Sequence, residues 1–341
     1  MLRSPVASRR SLLLGLLAAG LSACSSTPVV EKPSPPLPPL STDRLESLAT
    51  SAGLTWVIRA RPRKIAEIPF LIPAIGRIVP EKNFDAFKLR SGLDPRQVAE
   101  VIMLRYGDAL LGAEAQIVRH NVDASELERR FFARLTKDAQ RTEDRPDLVR
   151  VSGIIGQSQH SFARLGRDVV VYQQRGEPDR GPARIASLCA LGKLTKTKRL
   201  LDGGPLEALL GRFGEAPVVA AALGPFDDEW KKAARGLLEI ATGVGAAVRP
   251  TARENIGFAL AILADFGPNA ARAGELLRAA WDDVAMSTMG HLLGLDRPIE
   301  APIVAADTGV VTLAVEVEPG RLAEGLRALA ERDLDAIMRL D

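Results

Sequence analysis

Alternation of apolar and polar residues recurs along the chain and predicts β-strands that bury one face. In residues 54–60, the side chains of Leu54, Trp56 and Ile58 lie on one side of an extended segment. Two apolar runs flank the short break Gly107-Asp108 and predict a hairpin, residues 98–106 and 109–118. Three further strands are predicted in succession over residues 148–155, 158–165 and 169–172.

Apolar residues at helical spacing predict helices between these strands. Leu127, Phe131 and Leu135 form one such stripe, and Asp123 with Glu126 has capping-box spacing at its start. A second helix is predicted after Pro225 by five residues on one face: Phe226, Trp230, Ala234, Leu237 and Ala241. A third is predicted by Leu277, Trp281 and Val284.

Other segments are predicted to interrupt regular structure. Residues 65–79 are apolar but contain Pro69 and Pro73, so they predict short or broken helical pieces. The polar run of residues 137–147 predicts a surface loop, and Gly92-Leu93-Asp94-Pro95 predicts a turn before the hairpin.

A unit of strand, tight turn and amphipathic helix recurs in residues 110–135, 256–284 and 310–329. We therefore predict an α+β fold, with one or two antiparallel sheets, helices packed on one face, and a duplicated strand-turn-helix module. The halves would be about residues 44–200 and 201–341. The alternative is that such units arise without duplication in any α+β protein. The pattern, with Gly92-Leu93-Asp94-Pro95 before a hairpin, loosely resembles uncharacterised bacterial envelope proteins built from repeated sheet and helix halves.

The amino terminus has the three parts of an export signal. Arg3, Arg9 and Arg10 form a basic start, an apolar run of about a dozen residues follows, and small residues precede a cysteine. That run is shorter than the roughly 20 residues needed to span a membrane. The segment Leu21-Ser22-Ala23-Cys24 resembles the lipobox of bacterial lipoproteins. The alternative is an ordinary secretory signal with a chance cysteine.

The lipobox resemblance implies a processed and acylated protein. Residues 1–23 would be a signal peptide cut between Ala23 and Cys24, and the Cys24 thiol would carry a diacylglyceryl group that anchors the protein to a membrane. The segment Ser8-Arg9-Arg10-Ser11-Leu12-Leu13 also resembles a twin-arginine signal, so export by that route or by Sec stays open. Ser25 resembles the outer-membrane sorting pattern, which implies a periplasm-facing outer-membrane protein, with the inner membrane left open.

A proline-rich segment separates this anchor from the body. Six of the twelve residues from 28 to 39 are proline, a composition that favours extended polyproline II over helix or sheet. We predict a tether over residues 24–43 and a globular region over residues 44–341. A PxxP ligand for a recognition domain is the alternative.

The net charge of the chain without its signal peptide bears on which partners it can attract. The full chain has a formal charge of +3, but its first 23 residues contain three arginines and no acidic residue. The chain from Cys24 onward therefore has 42 basic and 42 acidic residues. A mature protein with equal numbers of positive and negative charges has no overall electrostatic field that attracts nucleic acid. We therefore expect no nucleic-acid partner. The one compact basic cluster is Lys193, Lys196, Lys198 and Arg199, a possible anionic contact or a solvated loop.

Candidate chemistry is sparse. Cys189 has no cysteine partner if Cys24 is lipidated, and its apolar surroundings predict a buried side chain. His120, His160 and His291 are too far apart in sequence for a recognised zinc motif, so we expect no metal and no cofactor. The run Gly243-Val244-Gly245 begins like a dinucleotide fingerprint but lacks its third glycine and predicts a tight turn or strand.

Three functions are compatible with these observations. The first is a non-catalytic envelope lipoprotein that binds a partner protein or aids assembly at the membrane. The second is a carrier of an apolar ligand in a cleft between sheet and helices. The third is an envelope hydrolase whose site forms only on folding. A dry core would favour the first function, a large apolar cavity the second, and converging polar groups in a cleft the third.

Overall fold

The strands of the chain form one antiparallel sheet. The computed structural model describes residues 37–107 and 112–338, with side chains up to residue 329. The described strands are β1 (Leu54–Ala60), β2 (Glu100–Tyr106), β3 (Glu114–Arg119), β4 (Lys137–Arg145), β5 (Leu148–Ile155), β6 (Ser158–Leu165), β7 (Val169–Gln174), β8 (Val218–Leu223), β9 (Gly243–Pro250), β10 (Ile256–Leu263), β11 (Ile303–Asp307) and β12 (Val310–Val317). Their order across the sheet is β11-β12-β10-β9-β8-β1-β2-β3-β7-β6-β5-β4.

Ten α-helices of the described residues connect the strands or follow them. They are α1 (Pro62–Ala66), α2 (Ile72–Ile78), α3 (Glu81–Ser91), α4 (Ala124–Arg134), α5 (Pro182–Ala190), α6 (Pro205–Phe213), α7 (Asp228–Ala233), α8 (Ala270–Ala285), α9 (Thr288–Leu293) and α10 (Pro319–Met338). The prolines in the segment after β1 divide it into α1, a 3-10 turn (Pro69–Leu71) and α2, which confirms its predicted broken character.

The connectivity of the sheet repeats on either side of its centre. Strands β1, β2 and β3 form a meander, α4 crosses over, and the last strand of the next meander, β7, returns to pair with β3. Strands β8, β9 and β10 form a second meander, α8 and α9 cross over, and β12 returns to pair with β10. The first strands of the two meanders, β1 and β8, pair antiparallel in the middle of the sheet. The two halves of the sheet therefore share one pattern about the β1–β8 seam, although the unit that returns after the crossover has four strands, β4–β7, in the first half and two, β11 and β12, in the second.

Helices cover both faces of this sheet. On the face that we call face A, Ala261 packs in one cluster with residues of α5 and α6, including Ala186 and Leu209. On the opposite face, face B, the next residue Ile262 packs with Leu277 of α8. The α+β class and the antiparallel sheet are confirmed, but the helices lie on two faces and not on one. The reason is that adjacent strand residues are both apolar, so each face needs a cover.

Residues 137–147 do not form the predicted surface loop. Most of them belong to β4, the edge strand paired with β5, and the residues from Lys137 to Glu143 are exposed. The strand has one neighbour in the sheet and makes ion pairs with the nearby helices, Arg141 with Glu128 of α4 and Asp144 with Arg184 of α5, so it needs no apolar face. Its charged side chains are typical of an edge that resists pairing with other chains.

The helix predicted after Pro225 is shorter than its apolar pattern indicates. Helix α7 ends at Ala233, because Arg235 and Gly236 both have positive φ angles, of 51° and 82°. Phe226 and Leu237 are buried, but they lie outside the helix, and Trp230 is 56% exposed. The predicted single apolar face is therefore wrong.

The described body begins just after the amino-terminal segment. Residues from Leu40 onward form one compact unit. The predicted signal peptide, Ala23, Cys24 and most of the tether lie outside the described residues. Within the described part of the chain, no helix is long and apolar enough to cross a membrane.

Candidate functional site

A cleft opens on face B between the sheet and helices α3 and α4. Its volume is about 660 Å³, and its floor is formed by strands β2, β3, β6 and β7. We call it the sheet–helix cleft. Its size falls within the roughly 300–1,000 Å³ of typical small-molecule sites.

Strand pairing arranges the floor in three rows that run across the strands. The polar row contains Glu114, Gln174 and His160, which are successive register partners on β3, β7 and β6. The middle row contains Met103, Gln116 and Tyr172. The apolar row begins with Val101 and Val118, which are register partners on β2 and β3. Polarity therefore changes from one end of the floor to the other along the strand direction.

Helix α4 forms one wall of the cleft. The Asp123 side chain caps the helix by accepting a hydrogen bond from the Ser125 amide, at 2.9 Å. The Glu126 carboxylate instead accepts bonds from Arg129 and Arg130, so only the Asp123 half of the predicted capping box forms. Leu127 and Phe131 are buried as predicted, and both line the cleft.

The turn after α3 forms the neighbouring wall. Gly92 ends this helix with a φ angle of +83°, and a Cβ atom there would lie 2.9 Å from Leu127 Cδ2. Glycine thus allows the turn to approach α4 closely. The Arg130 guanidinium donates a hydrogen bond to the Leu89 carbonyl and ties the two walls together.

Three aromatic rings support the inner side of the cleft. The Phe131 and Phe162 rings stack with centroids 5.3 Å apart, and Tyr172 meets Phe162 edge-on at 5.3 Å. Burial raises the pKa of the Tyr172 hydroxyl, which therefore stays protonated at neutral pH.

The charged residues of the cleft are mainly basic. Arg90, Arg130 and Arg134 line it, together with one acid, Glu114, which lies 3.5 Å from Arg105. His160 is buried, and its Nε2 atom has no hydrogen-bond partner. Burial lowers the pKa of this imidazole, and the nearby Arg134 charge lowers it further. His160 is therefore neutral at pH 7.

The three histidines are not brought together. His160 belongs to the polar row, whereas His120 follows Arg119 at the other end of β3. His291 lies in α9, where its Nδ1 atom is 3.0 Å from the Asp296 carboxylate. In the residues that the structure describes, no group of three or more histidine, cysteine or acidic side chains is placed to hold a metal ion.

The candidate nucleophiles are also separate from the cleft histidine. Cys189 is buried in α5, as predicted, and burial raises the pKa of its thiol. That helix packs on face A, on the other side of the sheet. Ser161 follows His160 in β6, so the two side chains point to opposite faces.

The predicted basic cluster divides into two kinds of residue. Lys193, Lys196 and Lys198 are exposed in the loop between α5 and α6. Arg199 instead donates hydrogen bonds to the carbonyls of Ser47 and Leu194, at 3.2 and 3.0 Å. Its side chain therefore holds the loop to the body, while anion binding by the three lysines stays a prediction.

Comparisons with known proteins give a likeness in fold only. No protein-family model and no curated protein match the chain. The solved structure of crystal form III of TP0453 superimposes with a TM-score of 0.50 at 9% identity, covering 84% of this chain and 99% of that chain. Crystal form I of TP0453 gives a TM-score of 0.48 at 9% identity, covering 85% and 98%. The similarity extends over most of both chains and concerns their architecture.

Proposed function

We propose that this protein is a bacterial envelope lipoprotein that binds an apolar ligand in the sheet–helix cleft, held to a membrane by lipid on Cys24. The observation that carries the proposal is the cleft, a cavity of about 660 Å³ between sheet and helices. The partner-binding function does not require such a cavity, and the hydrolase would also need a nucleophile in it, whereas Cys189 and Ser161 lie on the other face of the sheet from His160. We therefore favour it over the other two.

The floor of the cleft supports an apolar ligand. Val101 and Met103 are half-buried, although they lie in a central strand whose alternate residues Ile102 and Leu104 are fully buried on face A. Water in contact with apolar side chains of an inner strand is unfavourable, and an apolar ligand would displace it.

A neutral fluorescent probe tests the carrier function. We expect N-phenyl-1-naphthylamine to bind the body, residues 40–341, with enhanced emission. Met103→Trp fills the middle of the cleft and should weaken binding about tenfold or more. The matched control is Leu89→Trp, because Leu89 is 76% exposed and outside the cleft. Equal binding by the wild-type protein and Met103→Trp would place the ligand elsewhere.

The lipid anchor has its own test. Cys24→Ala should abolish incorporation of labelled palmitate and leave an uncut precursor, because the lipoprotein signal peptidase acts only on the lipidated cysteine. Normal cleavage of the Cys24→Ala precursor would mean that an ordinary signal peptidase processes this chain.

Partner binding is a second candidate, favoured by the corner between α8 and α9. Val284, Met286, Met289 and Leu292 are all exposed there, Met286 by 65%. Exposed apolar groups clustered in sequence are typical of contact surfaces, and methionine adapts readily to a partner.

A photocrosslinking amino acid tests this corner in cells. Placed at Met286, it should give one discrete adduct with an envelope protein, whereas the same group at the exposed Lys82 should give none. Absence of an adduct at Met286, with the protein present at normal levels, would remove this candidate.

A further inference from the structure

The polarity of the sheet–helix cleft is directional. Two residues of an antiparallel strand span about 6.8 Å, so the polar row lies about 14 Å from the apolar row. Leu93 and Val98 extend the apolar end, and both are buried. A ligand that fits this floor has an apolar body of about that length and a polar group at one end only.

Charge indicates the sign of that polar group. The cleft has three arginines and one glutamate, and the Arg134 charge acts on both His160 and Tyr172. Arg134 is the last residue of α4, and it lines the cleft close enough to the polar-row residue His160 for its charge to act on that imidazole. An anionic group there would be attracted by the guanidinium, and the surrounding apolar walls would strengthen the attraction.

The buried side chain of His160 also favours a polar ligand group at the polar row. It is 8% exposed and lines the cleft, yet its Nε2 atom is buried without a hydrogen-bond partner. A buried polar atom without a partner is uncommon in folded proteins and destabilises them. A ligand oxygen at the polar row would supply a partner after a small rearrangement of the side chains around the ring.

We propose that the sheet–helix cleft binds a single-chain amphiphile with an anionic head, a carboxylate or a phosphate, with the head at Arg134 and His160 and the chain over Val101 and Val118. This inference rests on the proposed carrier function and names its ligand class. Ligands that are apolar along their whole length, such as neutral hydrocarbons, should bind more weakly than this amphiphile.

Three probes with the same chain test the inference by titration against the body, residues 40–341. They are dodecanoic acid, dodecyl phosphate and the neutral dodecan-1-ol, whose extended chains match the distance from the polar row to the apolar row. We expect at least one of the two acids to bind about tenfold or more tightly than the alcohol, since one charged hydrogen bond contributes about that factor. The tighter of the two acids identifies the head group.

Variants locate the head group. Arg134→Gln should reduce the preference for the acid to about twofold or less while alcohol binding is retained, and Arg134→Lys should restore part of it. Retained alcohol binding shows that the cleft is still folded. Arg129→Gln is the matched control, because Arg129 lies on the exposed side of α4 and is 70% exposed. Its preference for the acid should equal that of the wild-type protein.

The outcomes separate the two proposals. Equal binding of acids and alcohol overturns the anionic head and leaves the carrier function standing. An acid preference that persists in Arg134→Gln overturns the placement of the head. Failure of all three probes and of the neutral fluorophore overturns the carrier function itself.

Discussion

Phe131 connects helix α4 to the sheet at the inner side of the cleft. Its ring is 4% exposed and stacks on Phe162. Phe131→Ala should lower the free energy of unfolding by about 3 kcal/mol, the lower end of the usual range for buried phenylalanine, because the cleft already provides empty space on one side. Urea unfolding measures the change. Phe132→Ala is the control: that neighbour is 44% exposed, and its removal should change stability by no more than about 0.5 kcal/mol.

Two buried histidines make stability depend on pH. Burial lowers the pKa of both His160 and His120 in the folded state. Above the unfolded value of about 6.5 both states are neutral, but below it the unfolded chain binds protons more readily, so stability falls as the pH drops. The double variant His160→Gln, His120→Gln should lose less stability between pH 7.5 and 5.5 than the wild-type protein, as measured by urea unfolding at both pH values.

The control for that experiment is His291→Gln, since His291 is half exposed in α9. It should lose at least as much stability as the wild-type protein over the same interval. A double variant that also loses the full amount would mean that groups other than these two histidines cause the acid sensitivity.

At the scale of elements, two glycines of β9 allow α6 to lie close to the sheet. A Cβ atom at Gly245 would lie 2.8 Å from Phe213 Cε2 and 3.0 Å from Leu209 Cδ2. Gly245→Ala should therefore lower the free energy of unfolding by about 1–3 kcal/mol through overpacking. Gly211→Ala in α6 is the matched control, because no atom lies within 4 Å of the added methyl group. It should leave stability unchanged or raise it by up to about 1 kcal/mol.

The same glycines show why a motif search alone gives little here. Gly243 and Gly245 resemble the start of a dinucleotide fingerprint in sequence, yet they lie in a strand beneath a helix. Strand periodicity, in contrast, predicts the β5–β6–β7 meander closely, because those strands bury one face or both. Strand β1 forms over the predicted residues, but its predicted face is wrong: a bulge between Leu54 and Trp56 places Leu54 with the buried Val57 on face A, and Trp56 and Ile58 on face B. Strand β4 gives no such signal, since its side chains are exposed. Periodicity detects only strands that bury apolar side chains.

The cleft itself could not be assembled from the sequence. Its residues come from positions 62 to 174, and only strand pairing aligns His160 with Gln174 and Glu114 in one row. A weak signal was present in Gln116 and Gln174, which are uncharged polar residues in strands that also contain the apolar runs Ile117-Val118 and Val169-Val170-Val171. Such residues indicate a strand face that contacts something other than a dry core. They do not indicate which strands are neighbours, and the site depends on that information.

At the scale of the whole molecule, repeated connectivity raises the question whether the halves are independent. The main core cluster on face A answers it, because it includes Leu165 and Val171 from one half and Leu209 and Ala247 from the other. The sheet is also continuous across the seam, where five residue pairs join β1 to β8. Neither half can bury its share of this core alone, so the body should unfold as one cooperative unit.

Tryptophan fluorescence can test this cooperativity, because one tryptophan, Trp56, lies in the first half and two, Trp230 and Trp281, lie in the second. One variant retains only Trp56 and another retains only Trp281. In each variant, the urea midpoint measured by tryptophan fluorescence should equal the midpoint measured by circular dichroism. A fragment of residues 201–341 should give the circular dichroism spectrum of an unfolded chain. Two separate midpoints, or a folded fragment, would mean that the repeat is a pair of autonomous domains and that the shared cluster contributes little to their stability.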